Sequence, residues 1–156
     1  MTRADAAGDL PAAVAPRLVL DTNVVLDWLY FRDPRCAALA DAMAERRAVW
    51  IATAAMRDEI ERVLARGLRG RWAGSAASVT DDWARWATMV ESVVPASPAA
   101  MRCTDGDDQK FIDLAVHANA AALLSADRAV LKLARRARAL GLAISTVAAW
   151  QPPAAD

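Results

Sequence analysis

The sequence predicts an α/β fold, a mainly parallel sheet of about five strands covered by helices, and three observations carry that reading. Short apolar runs alternate with longer stretches of helical periodicity along most of the chain, the order that builds strand–helix–strand units. The longer stretches carry one-sided apolar stripes. Val79, Trp83, Trp86 and Val90 share one face, as do Phe111, Leu114, Ala115 and Ala118, so each stretch packs on a sheet or on a partner chain. With 156 residues, 56% of them apolar, the chain can bury one proper core and is most simply one domain.

The elements follow in order. Residues 1–16 mix Ala and Pro with Asp5 and Asp9 and read as a flexible N-terminal tail. The domain, 17–150, opens with the apolar run "RLVL" as a strand at 17–20, and the apolar-periodic "NVVLDWLYF" makes a helix over 23–31. A second helix spans 35–46, "VWIA" is a strand at 49–52, and "AAMRDEIERVLAR" is a helix over 54–66. Clustered Gly and Ser break the pattern at "GLRGRWAG", before a helix over 79–90 and a strand at 92–94. A second break, "PASPAAMRCTDGD", precedes a helix over 108–119, a strand at 121–124, a helix over 128–140 and a last strand at 142–145. Residues 151–156 form a C-terminal tail, and no internal repeat is present.

Composition excludes several function classes. No apolar run approaches the roughly 20 residues a membrane span needs, and the first sixteen residues lack the uninterrupted apolar stretch of a secretory signal. A cytoplasmic protein is expected. Cys36 and Cys103 are too few and too far apart for a disulfide framework or a metal–thiolate site. Nineteen basic residues balance nineteen acidic ones, so there is no global attraction to nucleic acid. The bases are nonetheless clustered: Arg62, Arg66, Arg69 and Arg71 around "RVLARGLRGRW", and Arg128, Lys132, Arg135, Arg136 and Arg138 along "DRAVLKLARRAR". Each cluster is either a phosphate grip or the solvated face of an amphipathic helix. Trp72, beside Arg71, either stacks on a base of a single strand or packs. His117, the single histidine, sits mid-helix and is assigned no role.

Chemistry concentrates in the acids. "LVLD" places Asp21 just past the first strand, and "AALLSAD" places Asp127 three residues past the fourth. Ligands of open α/β sheets bind outside the carboxyl ends of strands, where the order of connections reverses. If these two strands are neighbours, both aspartates line one crevice. In "CTDGDDQKF", Asp108 opens the helix whose apolar stripe begins at Phe111, and in "AAMRDEIERVL", Glu59 is the acid best placed to turn inward, with Asp58 and Glu61 as competitors. Taken singly, each acid is explained by helix capping and the macrodipole. Four together would repel one another. A divalent cation resolves that, and Mg²⁺ or Mn²⁺ suits carboxylate oxygens without needing imidazole or thiolate. Asp105 and Asp107 are supporting acids or turn residues, and Ser125 is a partner for a site carboxylate or a turn former.

These residues resemble the PIN-domain nucleases, in particular the toxin components of type II toxin–antitoxin systems, from about Leu18 to Trp150. "LVLDTNVVLD" looks like the family's opening strand with its first metal-binding Asp, here Asp21, and with Thr22 and Asn23 shaping the site. "DEIERVL" is similar to the segment carrying the family's Glu, here Glu59. "DGDDQKFIDLAVHANAAALLSAD" resembles the closing block, with the third acid at Asp108 and the fourth at Asp127. The resemblance implies a three-layer α/β/α nuclease that cuts RNA with one or two Mg²⁺ or Mn²⁺ ions, often as a homodimer and often held by a cognate antitoxin. Such proteins usually read Gly-Asp-x-Asp after the fourth strand. This chain reads "SADRAVL", with Ala126 and Ala129, which leaves Asp127 as the only ligand candidate there. Two rivals remain: a PIN-like module that binds metal or a partner without cutting, and a phosphohydrolase with an aspartate nucleophile of the haloacid-dehalogenase type. The latter generally needs a second Asp two positions after the first, where this chain has Asn23.

Overall fold

A computed structural model describes residues 15–68, 75–92 and 98–154. Five strands, β1 (Arg17–Leu20), β2 (Val49–Ala52), β3 (Ala87–Met89), β4 (Ala122–Leu124) and β5 (Ala143–Ser145), form one sheet in the order β3-β2-β1-β4-β5. Every pairing is parallel. The helices are α1 (Thr22–Leu29), α2 (Ala37–Ala44), α3 (Ala54–Arg66), α4 (Ala76–Trp86), α5 (Gln109–His117), α6 (Arg128–Leu131) and α7 (Ala134–Arg138). Connections in parallel sheets are right-handed. The chain steps outward from β1 to β3 and then crosses back beyond β1 to β4 and β5, so the first four helices cover one face and the last three the other. The result is a three-layer α/β/α sandwich. Its central strands are largely apolar because neither of their faces meets water: Leu18, Val19, Leu20, Leu123 and Leu124 are all buried, whereas Thr88 and Met89 of the edge strand β3 are exposed.

On the first face, Trp50 of β2 takes Trp28 of α1 and Trp83 of α4 edge-on, with ring centroids 5.8 and 4.6 Å away. On the other face α5 packs on β1 and β4, and its Phe111, Ile112, Leu114 and Ala115 are buried. The expected apolar stripes are therefore core. Cys36 and Cys103 are free thiols, and burial pushes Cys36 up to about 12. No helix among the described residues is long and apolar enough to cross a membrane.

Several boundaries differ from expectation. The third strand is at Ala87–Met89 rather than 92–94, and α4 ends at Trp86 instead of continuing to Val90. Ser92 is not in a strand, and residues 93 and 94 lie outside those described. Pairing decides it: Trp50, Ile51 and Ala52 align with Ala87, Thr88 and Met89, and the Val90 N–H donates to the Ala52 carbonyl at 2.8 Å. Extending that ladder outweighs another turn of helix. The single helix expected over 128–140 is two, α6 and α7, because the Leu133 N–H bonds back to Val130 at 3.0 Å and tightens the chain between them. Residues 34–36 form a 3₁₀ turn before α2, and Asp108 ends a 3₁₀ turn, Gly106–Asp108, before α5.

Candidate metal centre

The order of connections reverses between β1 and β4, and these strands are paired, Leu20 opposite Leu124. The pairing runs one residue further. The Asp21 N–H donates to the Leu124 carbonyl at 3.1 Å, after which extended backbone at Asp21 turns into α1. Asp21 is only 3% exposed. Its Oδ1 accepts the Val24 N–H at 3.0 Å and its Oδ2 accepts the Ser125 hydroxyl. Burial raises the pKa of Asp21, and these hydrogen bonds offset part of that rise. Asp127 caps α6 through the Ala129 N–H, at 2.8 Å, and its own N–H donates to Ser125 Oγ at 3.0 Å. Ser125, fully buried, thus ties the two aspartates together with one hydroxyl.

Asp108 behaves differently. It stands at the N-terminus of α5 but makes no side-chain capping bond there, and its buried Oδ2 has no hydrogen-bond partner. Its N–H donates to the Asp105 carbonyl at 3.1 Å, and Asp105 Oδ1 accepts the Asp107 N–H at 3.0 Å, so the 3₁₀ turn brings both side chains forward. One oxygen from each of Asp105, Asp108 and Asp127 lies within 4.8 Å of the others. Burial first, then the facing Asp127 carboxylate and the charges of Asp105 and Asp21, push Asp108 up from 3.8 to about 7. Three acceptors, one lacking any donor, suit a cation that takes carboxylate oxygens.

Glu59 lies on α3 and turns inward, whereas Asp58 and Glu61 are exposed. Its Oε2 accepts the Thr22 hydroxyl and its Oε1 pairs with Lys110 Nζ at 2.5 Å. Burial alone would raise its pKa, but the bonds from Lys110 and Thr22 win and lower it. Glu59 is not among the three mutually close carboxylates. Asn23 contributes its backbone N–H to Asp21 while its residue is exposed. Asp105, read from sequence as a supporting acid, stands here beside Asp108 and Asp127. Lys110 is the residue that sequence reasoning passed over. Its mark was in plain view, as one of two lysines in the chain, two residues after Asp108.

Beside Lys110 a cavity of about 290 Å³ is lined by Thr53, Ser92, Arg102, Gln109 and Asp113 among others. Gln109 organises its wall, accepting the Cys103 N–H at 2.6 Å and donating to the Met101 carbonyl and to Asp113 at 3.1 and 3.0 Å. Arg66 is exposed, as are Arg128, Lys132, Arg135, Arg136 and Arg138 to differing degrees. Arg69, Arg71 and Trp72 lie outside the described residues.

The bridging hydroxyl has a measurable consequence. Ser125→Ala leaves the Asp127 N–H without its acceptor and the buried Asp21 Oδ2 without its donor, so the expected loss is about 1–3 kcal/mol. Urea unfolding of the metal-free proteins reads it directly. A change under roughly 0.5 kcal/mol, the scale of a neutral surface substitution, would mean the bridge contributes nothing.

The PIN domain family model matches residues 17–129. Among curated proteins none matches the sequence. Among solved structures the chain is similar to a chain of VapBC2 from Rickettsia felis, crystallised bound to a DNA fragment from their promoter. The TM-score is 0.55 at 12% identity, over 82% of this chain and 98% of that one.

Proposed function

The chain belongs to the PIN-domain family, whose members are generally metal-dependent nucleases, and on that premise we propose that it is an endoribonuclease working with Mg²⁺ or Mn²⁺, the toxin of a toxin–antitoxin pair. One observation carries the proposal. The buried Oδ2 of Asp108 lacks a partner inside a group of three carboxylates whose oxygens lie within 4.8 Å of each other. Leaving a buried carboxylate oxygen unpaired costs free energy that a bound cation would recover.

Asp105, Asp108 and Asp127 would hold the ion, and Asp21 adds negative charge beneath them while keeping lone pairs free, since an ionised carboxylate offers about four acceptor sites. A divalent ion at this place supplies Lewis acidity toward a phosphodiester and a water made nucleophilic at neutral pH. The rest belongs to the chain. Ser125 fixes Asp21 and Asp127 relative to each other, Thr22 and Lys110 fix Glu59, and the exposed Arg66, with Arg69 and Arg71 close to it in sequence, would meet phosphates that are the same in any RNA sequence. Trp72 has the chemistry to stack on a base.

An aspartate nucleophile is a poorer reading, because both Asp21 oxygens accept hydrogen bonds and the residue is buried. The antitoxin part of the proposal draws support from the likeness to VapBC2. Its test is co-purification with the product of the neighbouring reading frame.

The purified protein is expected to degrade single-stranded RNA in Mn²⁺ or Mg²⁺ and to stop when EDTA is added. Phosphatase activity without RNA cleavage would point to the nucleophile reading. Metal binding with no turnover at all would make the chain a binding module.

A further inference from the structure

Both oxygens of Glu59 are already engaged, Oε1 by the Lys110 ammonium at 2.5 Å and Oε2 by the Thr22 hydroxyl. Lys110 is itself held from several sides. It donates to the Asp107 carbonyl at 2.6 Å, and its ammonium sits 4.8 Å over the Phe111 ring. An ammonium has three donors, and two are used here. The side chain remains 30% exposed and lines the neighbouring cavity, which leaves one N–H uncommitted on a side chain that a substrate can reach. The Asp107 carbonyl that Lys110 grips lies in the same 3₁₀ turn that carries Asp108. The lysine is therefore part of the scaffold of the acidic group and reaches from it to Glu59. At the other end of the centre, Ala129 removes the second acid that the closing block usually carries.

We propose that Lys110 is the centre's built-in second cation. Its ammonium occupies the place beside Glu59 that a second divalent ion would need, so the centre takes one ion, among Asp105, Asp108 and Asp127, and Lys110 meets the RNA phosphate directly. This rests on the metal-nuclease reading and goes beyond it by assigning ion number and a phosphate contact. The physical argument is charge balance. Glu59 is neutralised by a covalently attached cation that cannot diffuse away, and a divalent ion entering there would have to displace the ammonium and meet its like charge. Removing Lys110 leaves Glu59, a partly buried carboxylate, with only the Thr22 hydroxyl and the charge of Arg62 to offset it, and it then favours an ion of its own.

The test counts Mn²⁺ ions by calorimetric titration of the full chain and by electron paramagnetic resonance, with circular dichroism confirming that each variant is folded. The parent is expected to take one ion. Glu59→Gln should leave that ion's affinity unchanged, whereas Asp108→Asn should lower it by about tenfold or more, at least the loss seen when even outer partners of a ligand are removed. Lys110→Ala should take two ions, and Lys110→Arg should take one. RNA cleavage below saturating Mn²⁺ should rise with the first power of its concentration in the parent and with the second power in Lys110→Ala. A parent that takes two ions, a Lys110→Ala protein that still takes one, or a Glu59→Gln protein that loses affinity as Asp108→Asn does, overturns the role of Lys110 and leaves the metal centre standing. If Asp105→Asn and Asp108→Asn both bind Mn²⁺ like the parent, the metal centre itself falls, and the role of Lys110 with it.

Discussion

Asp108→Asn and Asp21→Asn should each lower the rate of RNA cleavage by about three orders of magnitude or more. A bound metal supplies several kcal/mol of stabilisation to the developing charge on the phosphate, and about 1.4 kcal/mol corresponds to each tenfold in rate. Losing a ligand, or the buried charge beneath the ligands, therefore costs on the order of 4 kcal/mol in the barrier. Neither substitution should unfold the chain. Asn is about as good an N-cap as Asp, so position 21 can still accept the Val24 N–H, and Asp108 makes no capping bond to lose. On the proposed reading the deficit should appear in kcat, because phosphate contacts elsewhere would still bind RNA. Asp58→Asn is the control, an exposed acid on the same helix as Glu59, and its rate should match the parent's. Both site variants cutting RNA at the parent's rate would sink the assigned centre.

Metal should invert the stability order of the parent and Asp108→Asn. Without metal, Asp108 titrates at about 7 in the folded chain against an ordinary 3.8. Between those values the folded chain holds more protons than the unfolded one, so stability falls as pH rises from about 4 to about 7. Above that window the folded protein carries a crowded carboxylate, and the Asp108→Asn substitution relieves it. The metal-free variant should then be more stable than the metal-free parent by roughly 1 kcal/mol, allowing for the screening of a partly exposed group. Mn²⁺, if bound only by the folded state, should stabilise the parent by about 2.7 kcal/mol at a hundredfold excess over its dissociation constant. The variant should lose most of that gain. Thermal melts of both proteins in EDTA and across a Mn²⁺ titration decide the matter, and identical responses to metal would remove Asp108 from the ligands.

Much of the architecture was legible because its causes are local. Leu18, Val19 and Leu20 make an apolar run that only a buried strand accommodates, and β1 and β2 stand where the runs lie. Helix α3 ends where Gly67 adopts φ +85°, a left-handed conformation that glycine takes freely. The third strand was not legible. Ala87, Thr88 and Met89 form no apolar run, and the stripe of Val79, Trp83 and Trp86 continues in phase to Val90, so periodicity favoured helix over a segment that β2 draws out as an edge strand.

The site divides along the same line. Chain order alone determined that Asp21 follows the first strand, that Asp127 follows the fourth, and that acids crowd the start of α5, because each depends on residues a few positions apart. Only the tertiary structure decided that β1 and β4 lie side by side, which lets Ser125 reach Asp21 across 104 residues and join it to Asp127. It also brought Asp105 to the carboxylates of Asp108 and Asp127, through a 3₁₀ turn that composition does not announce. Likewise it matched Glu59 with Lys110 from opposite faces of the sheet. Such pairings depend on strand order and side-chain reach, which are properties of the packed sheet and of no single stretch of chain.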